Sequence, residues 1–189
     1  MEVVLLDISK LNEIGEILIS EKEIQDKVKS MGLEITKDYE DKEEPLVLIG
    51  ILKGSVFFLT DLSRKIDLNL SFDFMDVSSY GDGTQSTGDV RILKDLDQPI
   101  EGKNVIIVED IIDTGYTLSY LIENLKSRGA KSIKIACLLD KKERRKVDFD
   151  VDYIGFEIPD EFVVGYGIDY AQKYRNLPFV GIIKREIYE

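Results

Sequence analysis

The sequence predicts an α/β fold in which a central, mainly parallel sheet is flanked by helices. Short apolar runs, each about the length of one strand, recur along the chain. They are apolar on both faces, which is typical of strands buried in a parallel sheet. Segments with helical spacing alternate with them, as in successive β-α-β units. The length suits one domain with a buried core, so we treat residues 1–189 as a single domain.

The first predicted element is a helix whose start is marked by a capping box. Ser20 is followed three residues later by Glu23, and the helix is expected over about 20–32. The apolar run 46–51 indicates a buried strand, and a second helix is expected over 56–66. The remaining strands are expected at 69–77, 104–110, 134–139, 152–158, 161–166 and 179–184.

Two of these segments have spacings that also predict which side chains are buried. In the second predicted strand, the alternation of Leu70, Phe72 and Phe74 indicates one buried face. In the last predicted helix, leucine and isoleucine recur at helical spacing over 118–125, and Gly129 is placed to end it.

Composition excludes several classes of function. The absence of histidine rules out Ser-His-Asp and Cys-His catalysis, and it leaves oxygen-bound cations such as Mg²⁺ as the expected metals. The net charge of −12 argues against non-specific binding of nucleic acid. The single cysteine, Cys137, stands in an apolar run and is expected to be buried without a disulfide. Because we find neither a basic leader nor an apolar stretch of membrane length, we expect a cytoplasmic protein.

A loop at 113–117, with the sequence Asp-Thr-Gly-Tyr-Thr, gives the first chemical signal. It joins an apolar strand to an amphipathic helix, where free backbone N–H groups and the helix dipole attract phosphate. Gly115 allows close approach of the backbone. Glu109 and Asp110 end the preceding strand; alone they could be a solvated edge, but beside an anion site they suit the vicinal hydroxyls of a sugar, bound directly or through Mg²⁺. The pair of sites suits a ribose 5-phosphate.

Four segments together resemble a known family. The string VIIVEDIIDTGYTL at 105–118 is similar to the ribose-phosphate signature of the type I phosphoribosyltransferases, which use 5-phosphoribosyl 1-diphosphate. The segments 52–55, 78–90 and 155–170 resemble the hypoxanthine–guanine branch of that family, and GFEIPDEFVVGYGIDY at 155–170 is the most specific of them. The resemblance covers roughly residues 45–182.

The resemblance implies the fold and the reaction of that branch. The core would span about 40–150, and a small hood would be formed by segments at about 1–15 and 151–189. The reaction would be a step of purine salvage with Mg²⁺, in which hypoxanthine or guanine receives the 5-phosphoribosyl group to give IMP or GMP and diphosphate. Family members are usually dimers or tetramers, so we expect a homodimer or homotetramer that binds small-molecule substrates and neither nucleic acid nor membranes.

The resemblance also assigns roles to single residues. Asp113 would be the catalytic base at the purine N7 and Lys141 the donor to the 6-oxo oxygen, while Phe162 would stack on the base. In the family, a non-proline cis peptide often precedes the lysine of the segment 52–55. The other assignments are ribose 5-phosphate binding by Glu109, Asp110, Asp113, Thr114, Gly115, Tyr116 and Thr117, diphosphate binding by Lys53, Gly54 and Arg175, purine contacts by Val163 and Asp169, metal binding by Glu109, Asp110 and Asp169, and loop closure by Ser79 and Tyr80.

Two other interpretations stay open from the sequence. One is a phosphoribosyltransferase directed to xanthine or to a pyrimidine; the segment 155–170 argues against a pyrimidine and says less about xanthine. The other is a regulator of this fold that senses nucleotides and binds nucleic acid. The net charge of −12 and the presence of Lys53, Asp113 and Arg175 argue against it. A lysine at position 141 can only donate, which favours 6-oxopurines over adenine.

Overall fold

The structure is a computed structural model that describes residues 12–79 and 90–188. Of the two predicted loop-closure residues, Tyr80 lies outside the described residues, and Ser79 is the last residue of a strand. In chain order the elements are β1 Ile14–Ile19, α1 Glu21–Tyr39, β2 Leu46–Leu52, α2 Val56–Ser63, β3 Leu70–Ser79, β4 Val90–Lys94, β5 Asn104–Ile112, α3 Tyr116–Ser127, β6 Ser132–Asp140, β7 Tyr153–Glu157, β8 Val163–Val164 and β9 Val180–Ile183, with single turns of 3₁₀ helix at Lys142–Arg144 and Arg185–Ile187.

The larger of the two sheets has the strand order β4-β3-β2-β5-β6-β7. Every pairing from β3 to β7 is parallel, and only the edge strand β4 pairs antiparallel, with β3. The predicted mainly parallel sheet flanked by helices is therefore confirmed. Within the described parts of the chain, no helix is long and apolar enough to cross a membrane.

The smaller sheet has three antiparallel strands in the order β1-β9-β8. Its strand β1 overlaps the predicted hood segment 1–15 only at residues 14–15, whereas β8 and β9 fall within the predicted range 151–189. Strand β7, in that same range, belongs to the larger sheet. Strand β1 was not predicted because its burial does not alternate and its pairing with β9 has two register shifts. Strand β8 is shorter than the predicted 161–166 because Gly165 and Tyr166 have positive φ angles.

Helix α1 begins where the capping box predicted. The Ser20 Oγ accepts a hydrogen bond from the Glu23 backbone N–H, and the Glu23 carboxylate accepts one from the Ser20 backbone N–H. The predicted end near residue 32 is wrong, because the helix continues to Tyr39. Gly32 lies inside the helix, where any side chain would overlap Lys65, so glycine here serves packing and does not end the helix. The buried face continues through Ile35.

Both faces of the central strands of the larger sheet are buried, and alternate residues of these strands enter separate cores. Leu48 of β2 and Ile106 of β5 pack in the core that contains the buried faces of α1 and α2. Val47 of β2 and Val105 of β5 pack in the core that contains α3. Cys137 of β6 is also fully buried, as expected. The strands consequently leave only their ends free for ligands.

The predicted buried face of β3 is only partly correct. Leu70 and Phe74 pack against the core, but Phe72 is 52% exposed and Met75 is fully buried instead. The reason is position in the sheet, since β3 is next to an edge and helices α1 and α2 pack mainly on β2, β5 and β7.

A buried ion pair holds the turn that follows β6. The Asp140 side chain is fully buried, and it accepts hydrogen bonds from the Arg145 Nη2 at 2.8 Å and Nε at 3.1 Å. A buried carboxylate without such a partner would be strongly destabilising, so this fork is required where the chain leaves the sheet. The next residue, Lys141, is thereby fixed at the edge of the sheet where the candidate site lies.

Candidate active site

The candidate site lies at the carboxyl ends of β2, β5 and β6, which are neighbours in the sheet. Ligands of open parallel sheets bind at this edge. Ile112 of β5 pairs with Asp140 of β6, and the Lys141 N–H donates to the Ile112 carbonyl at 3.0 Å. Asp113 and Lys141 therefore leave the sheet from adjacent positions.

The loop after β5 encloses a small pocket of about 120 Å³. Gly115 is the N-cap of α3 with φ 85°, and no side chain of the described residues caps this end of the helix, so N–H groups of its first turn are available to a ligand in the pocket. The Phe149 ring packs against Gly115 and leaves no room for a Cβ there. Tyr116 is exposed and does not line the pocket. The lining consists of Glu109, Ile111, Ile112, Asp113, Thr114, Gly115, Thr117 and Leu118.

The two acidic residues of β5 lie in a buried environment. The Glu109 Oε2 atom is buried and has no hydrogen-bond partner among the described residues. Burial, with the neighbouring Asp110 as a second cause, raises the pKa of Glu109 well above its usual value. Burial also raises the pKa of Asp110 to about 6, an effect that the charge of Arg175 opposes. A buried carboxylate oxygen that lacks a partner among the described residues, as the Glu109 Oε2 does, is suited to a cation or to a donating hydroxyl group.

These carboxylates fit the way in which proteins hold Mg²⁺. Within the described residues there is no cluster of three or more potential metal ligands. Mg²⁺, however, is commonly held by one or two carboxylates together with water and substrate phosphates rather than by a complete protein cage. Asp169, the third predicted ligand, is occupied otherwise: it forms an ion pair with Arg175 at 2.7 Å and accepts from the Gln172 backbone N–H at 2.7 Å.

The loop after β2 packs directly on the acidic pair. The Leu52–Lys53 peptide bond is cis, as the resemblance implied. Gly54 has no space for a side chain because the Asp110 carboxylate lies against it, and the Gly54 carbonyl lies against Gly167 in the same way. The loop, the end of β5 and the segment after β8 are therefore in close backbone contact.

The two predicted diphosphate-binding cations face one cavity. Lys53 and Arg175 both line a cavity of about 660 Å³, together with Val56, Phe57, Gln172, Lys173, Tyr174 and Asn176. Arg175 is held in place by donating from Nη1 to the Gly167 carbonyl at 2.7 Å.

The predicted purine-binding residues come from three different elements. Lys141 is 11% exposed in its side chain, and its Nζ lies 3.4 Å from the Asp160 Oδ1. The Phe162 ring is 39% exposed; Tyr188 stacks on it at 4.9 Å between centroids, and Tyr170 meets it edge-on at 5.6 Å. Val163 is buried in β8, where it pairs with Ile182.

The sequence did not point to Arg144, which links Asp113 of the phosphate loop to Asp160, the partner of Lys141. Its Nε donates to the Asp113 Oδ1 at 2.5 Å, and its Nη1 donates to both oxygens of Asp160 at 3.1 Å. No sequence signal could have selected it, because it stands in the charged run KKERRK, a pattern typical of a solvated turn. Tyr170 and Tyr188 were missed for a similar reason, since nothing local links them to Phe162.

Comparisons with known proteins agree with this geometry. The family model "Phosphoribosyl transferase domain" matches residues 16–171. The hypoxanthine-guanine phosphoribosyltransferase of Bacillus subtilis is 56% identical over 178 residues, which are 94% of this chain and 98% of that protein. The crystal structure of a hypoxanthine phosphoribosyltransferase from Staphylococcus aureus has a TM-score of 0.93 and 51% identity, covering 98% of this chain and 100% of the other.

A longer relative shows the same domain within a larger protein. The bifunctional protein TilS/HprT of Listeria monocytogenes is 55% identical over 177 residues, which are 94% of this chain but only 27% of that relative. The chain thus spans about a quarter of this relative and nearly all of the Bacillus subtilis enzyme. Together, these matches show that the chain belongs to the phosphoribosyltransferase family, in its hypoxanthine-guanine branch.

Proposed function

We propose that the protein transfers the 5-phosphoribosyl group from 5-phosphoribosyl 1-diphosphate to hypoxanthine or guanine, giving IMP or GMP and diphosphate. The observation on which this depends is the adjacency of Asp113 and Lys141, which leave neighbouring strands directly beside the phosphate loop. A purine placed there would meet an acceptor and a donor while its ribose phosphate partner occupies the loop. We further propose that this reaction serves purine salvage in the cytoplasm and that the protein acts as a homodimer or homotetramer.

The donor substrate would be held by the ends of β2 and β5. Its 5-phosphate would accept hydrogen bonds from the first turn of α3 and from the hydroxyls of Thr114 and Thr117. Its ribose hydroxyls would donate to the carboxylates of Glu109 and Asp110. Tyr116 would contribute only its backbone N–H, since its ring is exposed.

The reaction needs charge stabilisation on both sides of the ribose. As the bond to diphosphate breaks, the sugar becomes cation-like and the leaving group gains negative charge, which Lys53 and Arg175 would neutralise from their common cavity. Asp113 would accept the proton of the purine N7 as general base, so that N9 can attack the ribose C1. Loop closure by Ser79 and Tyr80 is proposed to exclude water from the cation-like centre.

We propose Mg²⁺ as the metal, held by Glu109 and Asp110 together with substrate oxygens. When bound, it would help to neutralise the diphosphate. The Glu109 Oε2, which is buried and has no hydrogen-bond partner in the part of the chain that the structure describes, supports this assignment. Asp169 would have to exchange its pairing with Arg175 to join the metal, so we propose it as a group that orients Arg175 and that contacts the metal region and the purine from there.

Base selection is proposed to depend on Lys141, because an ammonium group donates and cannot accept. Pyrophosphate release by the purified protein should be measured in parallel with hypoxanthine, guanine, xanthine and adenine. Hypoxanthine and guanine should be used, and adenine should be disfavoured by roughly 10⁴-fold in kcat/KM, as buried polar mismatches allow. Lys141→Met should lower kcat/KM for hypoxanthine by about 10²-fold, whereas Lys142→Met, one residue away and exposed, should change little. Efficient use of adenine would contradict the proposal. Use of xanthine alone would favour the alternative of a xanthine-directed phosphoribosyltransferase.

The role of Asp113 is tested by replacing its carboxylate with an amide. Asp113→Asn keeps an oxygen that can accept from Arg144 but is a far weaker base, so kcat should fall by roughly 10²-fold or more. Asp148→Asn, which changes an exposed carboxylate, provides the matched control. Steady-state assays with guanine would measure both. Near-normal turnover of Asp113→Asn would show that another group is the base.

The phosphate loop is tested by a pair of glycine variants. Gly115 and Gly102 both have positive φ angles, 85° and 70°, but a Cβ at Gly115 would overlap Phe149, whereas one at Gly102 would meet no atom of the described residues within 4 Å. Replacement by alanine should cost about 1 kcal/mol of unfolding free energy in urea at Gly102 and more at Gly115, where Phe149 has to move. Only Gly115→Ala should also lose affinity for ribose 5-phosphate, measured by titration calorimetry. Equal affinities in the two variants would remove the loop from the phosphate site.

Metal binding should depend on pH through the acidic pair. Because the pKa of Asp110 is raised to about 6 in the metal-free protein, Asp110 must lose a proton before it can bind a cation. The pKa of Glu109, the other proposed ligand, is raised as well, so the affinity for Mn²⁺, followed by the electron paramagnetic resonance of the free ion, should fall by about tenfold or more for each pH unit below 6. Asp110→Asn should bind weakly at every pH, whereas exposed Asp67→Asn should behave like the unaltered protein. A constant affinity between pH 5 and 8 would contradict this metal site.

A further inference from the structure

We propose that Arg144 is a positioning residue that orients the Asp113 carboxylate and couples it, through Asp160, to Lys141. This inference rests on the proposed function, in which Asp113 contacts the purine N7 and Lys141 contacts its 6-oxo oxygen. It adds two residues, Arg144 and Asp160, which would touch neither substrate but would set the spacing of the two groups that do.

The geometry shows a continuous chain of four alternating charges. The Arg144 Nε donates to the Asp113 Oδ1 at 2.5 Å, and the Arg144 Nη1 donates to the Asp160 Oδ1 and Oδ2 at 3.1 Å. Asp160 in turn lies 3.4 Å from the Lys141 Nζ. The guanidinium is planar and rigid, so the directions of its two contacts are fixed relative to each other. Moving one carboxylate therefore requires moving the other or breaking a contact.

The backbone of Arg144 is itself tied to the phosphate loop. It ends the single 3₁₀ turn that follows β6, and its N–H donates to the Lys141 carbonyl at 2.9 Å. Two residues later, the Lys146 N–H donates to the Thr114 carbonyl at 2.9 Å. The Phe149 ring then packs on Gly115. Arg144 is consequently presented to Asp113 by a segment that is bonded to the end of β5 before it, through Lys141, and to the phosphate loop after it, through Lys146.

The contact with Arg144 fixes the direction of the Asp113 carboxylate. Its Oδ1 is occupied by Arg144, while its Oδ2 has no hydrogen-bond partner among residues 12–79 and 90–188. A carboxylate fixed through one oxygen presents the other in a defined direction, which is the condition for accepting the N7 proton without first searching rotamers. An arginine guanidinium keeps its proton in proteins and cannot serve as acid or base, so Arg144 would act only through Asp113.

Folding does not explain this arrangement. The side chains of Arg144, Asp113 and Asp160 are 44%, 45% and 48% exposed, and ion pairs this exposed contribute little to stability. The neighbouring Arg145 differs, because its partner Asp140 is fully buried and depends on it. Removal of the Arg144 guanidinium should therefore leave the fold intact and change only the site.

The test compares two purine analogues that differ in position 7. In 9-deazahypoxanthine an N7–H is retained, whereas in 7-deazahypoxanthine a carbon replaces N7, so only the first can donate to Asp113. Their dissociation constants should be measured with magnesium diphosphate present, because no ribosyl transfer can then occur. Arg144→Met, which keeps most of the apolar stem, should weaken 9-deazahypoxanthine by about tenfold and weaken 7-deazahypoxanthine, which retains only the 6-oxo contact with Lys141, by clearly less. Lys142→Met in the same turn should alter neither.

Kinetics and stability complete the test. Arg144→Met should lower kcat for hypoxanthine by about tenfold, with an unchanged KM for 5-phosphoribosyl 1-diphosphate and an unchanged melting temperature. Arg144→Lys keeps the charge but not the fork, and full restoration by it would overturn the role of geometry. Equal weakening of both analogues, or no weakening of either, would also overturn the inference. If Asp113→Asn has normal turnover, the proposed base fails; if Asp113→Asn is impaired while Arg144→Met is normal, only the present inference fails.

Discussion

The parallel pairing of β2, β5 and β6, with both faces buried, is the constraint on which the rest of the structure depends. Leu48 and Ile106 are committed to one core and Val47 and Val105 to the other, so side chains in the middle of these strands cannot meet a ligand. Residues in the last few positions of a strand, such as Glu109 and Asp110 of β5, and residues beyond it can do so. Because neighbouring strands lie about 4.8 Å apart, these groups form a compact row across the edge of the sheet. Chemistry is concentrated there because the middle of each of these strands is required for packing.

Close backbone contact converts this row into a single site. Asp110 packs on Gly54, and the Gly54 carbonyl packs on Gly167, so the loop after β2, the end of β5 and the segment after β8 cannot shift independently. Arg175, which follows in that segment, reaches the cavity of Lys53 because Gly167 anchors it through a hydrogen bond. The segment that follows β8 of the small antiparallel sheet thus contributes to the site. The contacts that hold it there require glycine at positions 54 and 167, because a side chain at either would overlap its neighbour.

The features that the sequence predicted correctly are those determined by local pattern. The capping box at Ser20 and the apolar run of β5 both depend on residues within one turn or one strand. Phe72 was assigned wrongly because its burial depends on which strands the helices cover, and the contact between Arg144 and Asp113 joins residues 31 positions apart. Alternation and spacing describe a segment, whereas these features describe what other segments lie against it. The roles of the site residues stay predictions that rest on the family and on their positions.

The net charge of −12 explains why the groups at the carboxyl edge of the sheet have to act at short range. A protein this acidic repels polyanions at long range, so affinity for a phosphorylated substrate has to come from groups that act within a few ångströms. Backbone N–H groups at the start of α3 supply such a field, and they add no mobile side chain that the surrounding acids could neutralise. Two arginines of this region are each paired with an acid: Arg175 with Asp169 and Arg144 with Asp160. Under the proposed function, a carboxylate that accepts a proton in place of histidine needs a fixed direction, and the same pairing of acids with arginines would supply it.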